Sequence, residues 1–423
     1  MRTAPHSPGW WPRSLFITVR AANSLARRPY RPLRSAAFSM CSYCRCSFAP
    51  TPRKCFFSGR LAEPAAKTRL SGPGSHRCII PGVKRICVVS FSALAAAATL
   101  FPQAVQKLDP AVDRQAPPQS VVNQVATGFN KWTEGPVWTR SNFLLFAEIP
   151  GNSIMRWRPG GTAAVFMHPS GYTGAAPYGG PEPGSNGMTL DAQGRLTVAG
   201  HARRNVWRLE KLDASATVTV LADTFEGKQL NSPNDLVYKS DGSLYFTDPP
   251  YGLPTQGDAD PAKQLKVNGV YRIAGARDHR AGAAPDRAKL QLLVADLPRP
   301  NGIAFSPDEK FLYVDNSEPK KLWMRYNVQP DGSLAHGTLL YDATADRAPG
   351  GPDGMKVDKE GNIYSAGPGG VWIFSAEGKH LGTIKVPETV GNLAWGGPDG
   401  KTLYIAASTS IYSIELNVGG VKP

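Results

Sequence analysis

Six times in this 423-residue chain a short apolar strand of one kind recurs: "NSIMRWR", "NVWRLEK", "NGVYRIA", "KLWMRYN", "GGVWIFS" and "TSIYSIE". It follows a hairpin that opens on a polar residue, alternates apolar and polar positions, turns in most copies at a glycine and returns as a second β-rich strand. "SNGMTLDAQGRL", "SPNDLVYKSDGSLYF", "RPNGIAFSPDEKFLYV" and "GGPDGMKVDKEGNIY" are such hairpins. Alternation with period two marks half-buried strands, and the Gln-Gly, Asp-Gly and Glu-Gly pairs mark the turns between them. The copies are spaced irregularly, roughly thirty to seventy residues apart, as expected of four-stranded units with variable loops. No amphipathic helix of useful length interrupts them. Six units predict an all-β, six-bladed β-propeller over residues 121–417, with "VVNQVATGF" (121–129) as the strand that closes the ring.

The residues before the repeats are of another character. Residues 1 to 85 hold sixteen of the 48 Lys and Arg residues but one of the 33 acids, Glu63, so the formal charge of +15 belongs to this segment. The rest is balanced at 32 of each sign, and a basic nucleic-acid-binding surface is not expected on the folded domain. Arg, Pro and Ser dominate residues 1–82, which read as a disordered basic extension or as sequence upstream of the true start. All six cysteines lie at or before position 87; "CSYCRC" lacks the second ligand pair that a structural zinc site requires.

From Val83 the pattern changes again. Lys84 and Arg85 precede an apolar run from Ile86 to Leu100, about fifteen residues, too short for a stable membrane span and suited to a secretory signal. The segment 83–105 thus predicts a periplasmic or secreted protein that starts near Val83, or a cytoplasmic one if the segment is not used. Residues 106–120 read as a linker.

In a propeller the first strand of every blade lines the central channel, so the residues that open these strands gather at one channel mouth. They are Glu134, Asn186, Asn234, Asn301, Asp353 and Asn392. Two carboxylates and several amide carbonyls, with no Cys, form the oxygen donor set of a hard divalent cation. Asn and Asp are also favoured turn residues, which gives each of them a purely structural alternative. Glu134 has no such turn role.

"TEGPVW", "NSPNDLV", "PNGIAFSPDEKFLYV" and "GGPDGMKVD", in this order, resemble the signatures of the SMP-30/gluconolactonase/regucalcin-like family, and "PSGYTG" and "FTDPPYGL" resemble its bacterial gluconolactonase branch. The resemblance covers about residues 120–417. It implies a six-bladed propeller with one divalent cation in the central channel, Ca²⁺ first and Mg²⁺, Mn²⁺ or Zn²⁺ as alternatives. Carried over by motif, Glu134, Asn301 and Asp353 resemble the metal ligands, and Asn234 approaches metal or substrate. It further implies hydrolysis of sugar lactones such as glucono-1,5-lactone, with the cation polarising the carbonyl. Asp353 or a metal-bound water would supply the base or nucleophile.

Further substrate contacts are expected from Asn186, His201, Arg203 (or Arg204), Asp248 and Tyr251. The Gly/Pro-rich insertion 169–185, with Tyr172 and Tyr178, is long enough to cover the channel mouth. No Gly-x-Ser-x-Gly elbow occurs, which argues against a covalent serine mechanism, and no phosphate-binding glycine loop signals a nucleotide. Two alternatives stay open: a paraoxonase- or phosphotriesterase-like hydrolase with an apolar pocket wall, and a non-catalytic binding propeller. Oligomeric state is not legible.

Overall fold

The hairpins expected from the glycine turns form because polar side chains pin them. Asp358 Oδ1 accepts from the amides of Glu360 and Asn362, both at 2.9 Å, while Gly361 takes φ +90°. Asp191 does the same for Gln193 (3.0 Å) and Arg195 (2.9 Å) around Gly194 at φ +79°. A side chain that mimics a turn carbonyl, followed by a residue free to adopt positive φ, fixes the register of the strands it joins.

The computed structural model describes residues 104–421 of the chain. The extension read over 1–82 lies outside the described residues, as does all but the end of the signal-like segment 83–105. Antiparallel sheets of four strands follow one another around a ring. Blade one comprises Thr133–Trp138, Leu144–Glu148, Ser153–Trp157 and Ala164–Met167. The inner strands of blades two to six are Met188–Leu190, Leu236–Tyr238, Pro300–Phe305, Met355–Val357 and Val390–Gly396. The six recurring strands of the sequence are the third strand of each blade.

Ring closure follows the expected route. Asn123–Thr127 pairs antiparallel with the last strand, Ser410–Glu415, placing Asn123 opposite Ser413 and Thr127 opposite Ser410. The first and last strands of the propeller thereby share blade six. The stretch 106–120 carries structure of its own: Val105–Lys107 adds a fifth strand to blade five, with Val105 opposite Ile384, and Val112–Gln115 forms one helical turn. Val105, Val112 and Ala116 are buried against blades five and six.

An apolar core fills each gap between neighbouring blades. Leu145 and Ala147 of blade one meet Met188, Val198 and Trp207 of blade two, and Ala394, Tyr404 and Ala406 of blade six meet Leu144 and Phe146 of blade one. Packing on both sides changes the expected half-burial: Leu144–Glu148, Leu196–Gly200, Leu244–Asp248 and Ile363–Gly367 are buried along their whole length. A sheet sandwiched between two others has no solvent face, so its strands lose the alternation that a single covered face imposes.

Candidate active site

The glycine that follows four of the six opening residues, Glu134, Asn186, Asn301 and Asp353, has a geometric cause. The inner strands converge at the channel mouth, where Gly187 N donates to the carbonyl of Asn234 at 2.7 Å. A Cβ on Gly187 would lie 2.4 Å from that oxygen, and one on Gly302 would lie 2.3 Å from the carbonyl oxygen of Asp353. Only glycine admits so close a backbone approach. At these four positions the glycine is thus a packing requirement that locks the opening residue beside that of the next blade.

The result is a cavity of about 370 Å³ lined by Glu134, Asn186, Asn234, Asn301 and Asp353, together with Glu182, Tyr251, Gln256, Glu318 and Lys321. Five of the six opening residues therefore meet. Asn392 does not line this cavity: its Oδ1 already accepts from Leu393 N (2.8 Å) and Lys356 Nζ (3.2 Å) inside the channel.

The donor atoms are poorly satisfied by the protein alone. Asn186 Oδ1 and Asn301 Oδ1 are buried without a hydrogen-bond donor. The Asn301 amide is held by its other end, Nδ2 donating to Ser317 Oγ at 2.9 Å, and Ser317 in turn donates to Pro352 O at 2.8 Å. Burial pushes the Glu134 carboxyl up to about 7, against the opposing pull of the Gly135 amide. Asp353 is held well above the usual carboxylate range, first by burial and then by the charges of Glu134, Asp315 and Asp235. Unpaired amide oxygens beside carboxyls that resist ionisation fit a hard divalent cation, which would relieve both conditions. Among the described residues no group of three His, Cys, Asp or Glu side chains gathers in ligating geometry; the fit rests on two carboxylates with amides.

A second acidic layer lies deeper and escaped the sequence reading. Asp235 and Asp315 are fully buried, each with an Oδ2 that lacks a donor. Lys356 Nζ stands 3.8 Å from Asp235 Oδ2 and donates to the carbonyl of Met355 at 2.8 Å. Lys356 also borders the cavity at the other channel mouth, about 380 Å³, which is walled by Trp138, Tyr238, Phe305 and Trp395.

Three of the expected substrate contacts are corrected. Asp248 is completely buried and accepts from the amides of Asn231 and Ser232, each at 2.8 Å; it braces the loop leading to Asn234 and does not face the cavity. Its carboxyl is pushed up to about 7 by that burial. His201 is also fully buried, its Nε2 2.7 Å from Glu182 Oε2. Arg203 does not line the cavity, and Arg204 is spent on the carbonyls of Leu230 (2.7 Å), Asn231 (3.0 Å) and Ala262 (2.9 Å). Tyr251 does line it. Tyr172 and Tyr178 pack against each other within the insertion, ring centroids 5.1 Å apart and planes tilted by 50°, and Tyr178 donates to the carbonyl of Gly252, tying the insertion to blade three. They border a separate cavity, and only Glu182, near the insertion's end, reaches the main one.

Residues 132–409 match the SMP-30/Gluconolactonase/LRE-like region. The chain is 36% identical over 324 residues to a gluconolactonase of Zymomonas mobilis, covering 74% of this chain and 85% of that protein. A gluconolactonase structure from Xanthomonas campestris superposes with a TM-score of 0.60 at 30% identity, over 74% of this chain and 94% of that one. A calcium-binding regucalcin from Agrobacterium tumefaciens shares the fold at a TM-score of 0.54 and 18% identity, over 72% of this chain and 96% of that one.

Proposed function

The chain belongs to the SMP-30/gluconolactonase/LRE-like family, and from that premise we propose that it is a lactone hydrolase, opening sugar lactones such as glucono-1,5-lactone to the aldonic acid. The observation that carries the reading is the meeting of Glu134, Asn301 and Asp353 in one cavity, in a chain 36% identical to a gluconolactonase. Glu134, Asn301 and Asp353, with Asn234, would hold one divalent cation, and their all-oxygen set favours Ca²⁺ ahead of Mg²⁺, Mn²⁺ or Zn²⁺. When bound, such a cation supplies Lewis-acid polarisation of the lactone carbonyl.

The chain's own residues account for the rest of the reaction. Asp353, ionised beside a positive charge, would take the proton from the attacking water and return it to the ring oxygen that leaves. That same charge lowers its basicity, so its burial, which acts the other way, keeps it useful as a base. Asn186, Gln256 and Tyr251 offer polar contacts to the body of the substrate. Set beside the apolar Trp132, Ile149 and Val390, these polar groups suit a ring that carries hydroxyls and also has an apolar face.

The test is proton release by the cation-loaded protein on glucono-1,5-lactone, other aldonolactones and an aryl ester, corrected for spontaneous hydrolysis. The proposal expects preference for the aldonolactones; turnover confined to the aryl ester would favour the paraoxonase-like alternative. Export by the segment beginning at Val83 is part of the same proposal, and the N-terminal sequence of the natural protein tests it.

A further inference from the structure

Glu182 is a charged group at the cavity that this mechanism leaves unused. It belongs to the insertion between blades one and two, is 9% exposed, and spends that exposure on the cavity. Both of its oxygens are held: His201 Nε2 lies 2.7 Å from Oε2 on the buried side, and Gln256 Nε2, at the cavity wall, donates to Oε1 at 2.9 Å. The imidazole cannot swing away. It has no exposure, its Nδ1 is 3.3 Å from the carbonyl of Pro233, and a Cβ on Gly252 would stand 2.6 Å from its Cδ2. Gly252 is itself anchored by Ser232 Oγ, which accepts from its amide at 2.9 Å.

A carboxylate with one donor on each oxygen keeps acceptor capacity on both. At Glu182 that capacity faces a cavity in which the cation's share of oxygens, Asn186 Oδ1 and Asn301 Oδ1 among them, is distinct: those atoms have no donor, whereas both oxygens of Glu182 have one. A fixed, acceptor-only anion recognises a ligand that brings donors, and a pair of neighbouring hydroxyls on a saturated ring matches two parallel oxygens.

We infer that Glu182 selects substrates by accepting hydrogen bonds from ring hydroxyls, and that His201 is a positioning residue that acts through it. This rests on the lactone-hydrolase reading and adds the determinant of its specificity. The two buried, unbroken contacts explain why a histidine expected at the substrate lies one residue behind it.

The experiment compares the full, cation-loaded chain with Glu182→Gln, His201→Phe and His201→Gln on glucono-1,5-lactone and on δ-valerolactone, whose ring carries no hydroxyls. In Glu182→Gln the ratio of kcat/KM for the hydroxylated over the plain lactone falls about tenfold to hundredfold, the worth of one hydrogen bond to a charged acceptor, and the loss lies in KM. His201→Phe lowers the same ratio. His201→Gln, which keeps a donor, recovers most of it. A purely structural role would depress both substrates together and leave the ratio unmoved, which would overturn the inference. Calorimetric binding of 1,5-anhydroglucitol, a hydroxylated ring without a carbonyl, separates the two readings: it weakens in Glu182→Gln even if neither lactone is hydrolysed. Equal binding by both proteins would overturn the role of Glu182 regardless of activity.

Discussion

Asn301 donates through Nδ2 to Ser317 Oγ at 2.9 Å, which turns its Oδ1 into the channel, where no donor meets it. The amide is thereby aimed by a hydroxyl on the second strand's exit from the same blade. Ser317→Ala removes the aim without touching the donor set. Cation affinity measured by calorimetry is expected to fall about tenfold with the fold intact, the usual effect of losing a partner that orients a ligand. Unchanged affinity would mean that Asn301 is held by packing alone.

Charge is the second handle. Glu134→Gln keeps the shape and an oxygen but removes one negative charge, so the cation should bind much more weakly while melting in chelator stays cooperative. Tight binding by this variant would remove Glu134 from the shell.

The raised carboxyl of Glu134 also makes stability depend on pH. Its native value of about 7 lies above the ordinary 4.5, so the folded state holds the proton more tightly than the unfolded one. In cation-free protein this group contributes stability that is complete below pH 4.5 and is lost as pH rises through about 7. Between pH 5 and 8 the Tm of the chelated natural protein should therefore decline relative to that of Glu134→Gln, and added cation should restore it at the upper end. Parallel curves for the two proteins would contradict the burial of this charge.

Gly302→Ala tests the convergence of the inner strands. The new methyl would lie 2.3 Å from the carbonyl oxygen of Asp353 and 2.6 Å from Asp315 Oδ2, so a neighbouring blade must shift. Urea denaturation should show a loss of about 1–3 kcal/mol, the common cost of overpacking.

The propeller is legible because each third strand repeats a short apolar pattern and four of the six hairpins turn at a glycine, Asn142 and Glu309 taking the positive φ in the other two. The opening residues were legible for the same reason: their place on the inner strand decides where they end up. Glu134, Asn186, Asn234, Asn301 and Asp353 needed only the ring to bring them together. Glu182 and His201 did not follow this rule, since one sits in an insertion and the other on a 3₁₀ turn, His201–Arg203, where strand position says nothing about direction. His201, expected at the substrate, faces Glu182. Asp235 and Asp315 hold no opening position, so strand order does not mark them; the burial of the channel wall does. The strand Val105–Lys107 is three residues long, too short to carry a period.

On the proposed reading, lactone hydrolysis by this chain depends on a cation held by Glu134, Asn301 and Asp353. Its most direct test is the rate of proton release from glucono-1,5-lactone, above the spontaneous rate, as Ca²⁺ is titrated into chelator-treated natural protein and Asp353→Asn. The natural protein should be inactive without cation and gain activity along a saturable curve. Asp353→Asn should saturate as well but turn over about 10² to 10⁴ times more slowly, the usual worth of a general base. Full activity in chelator, or near-native turnover by Asp353→Asn at saturating Ca²⁺, would contradict the account.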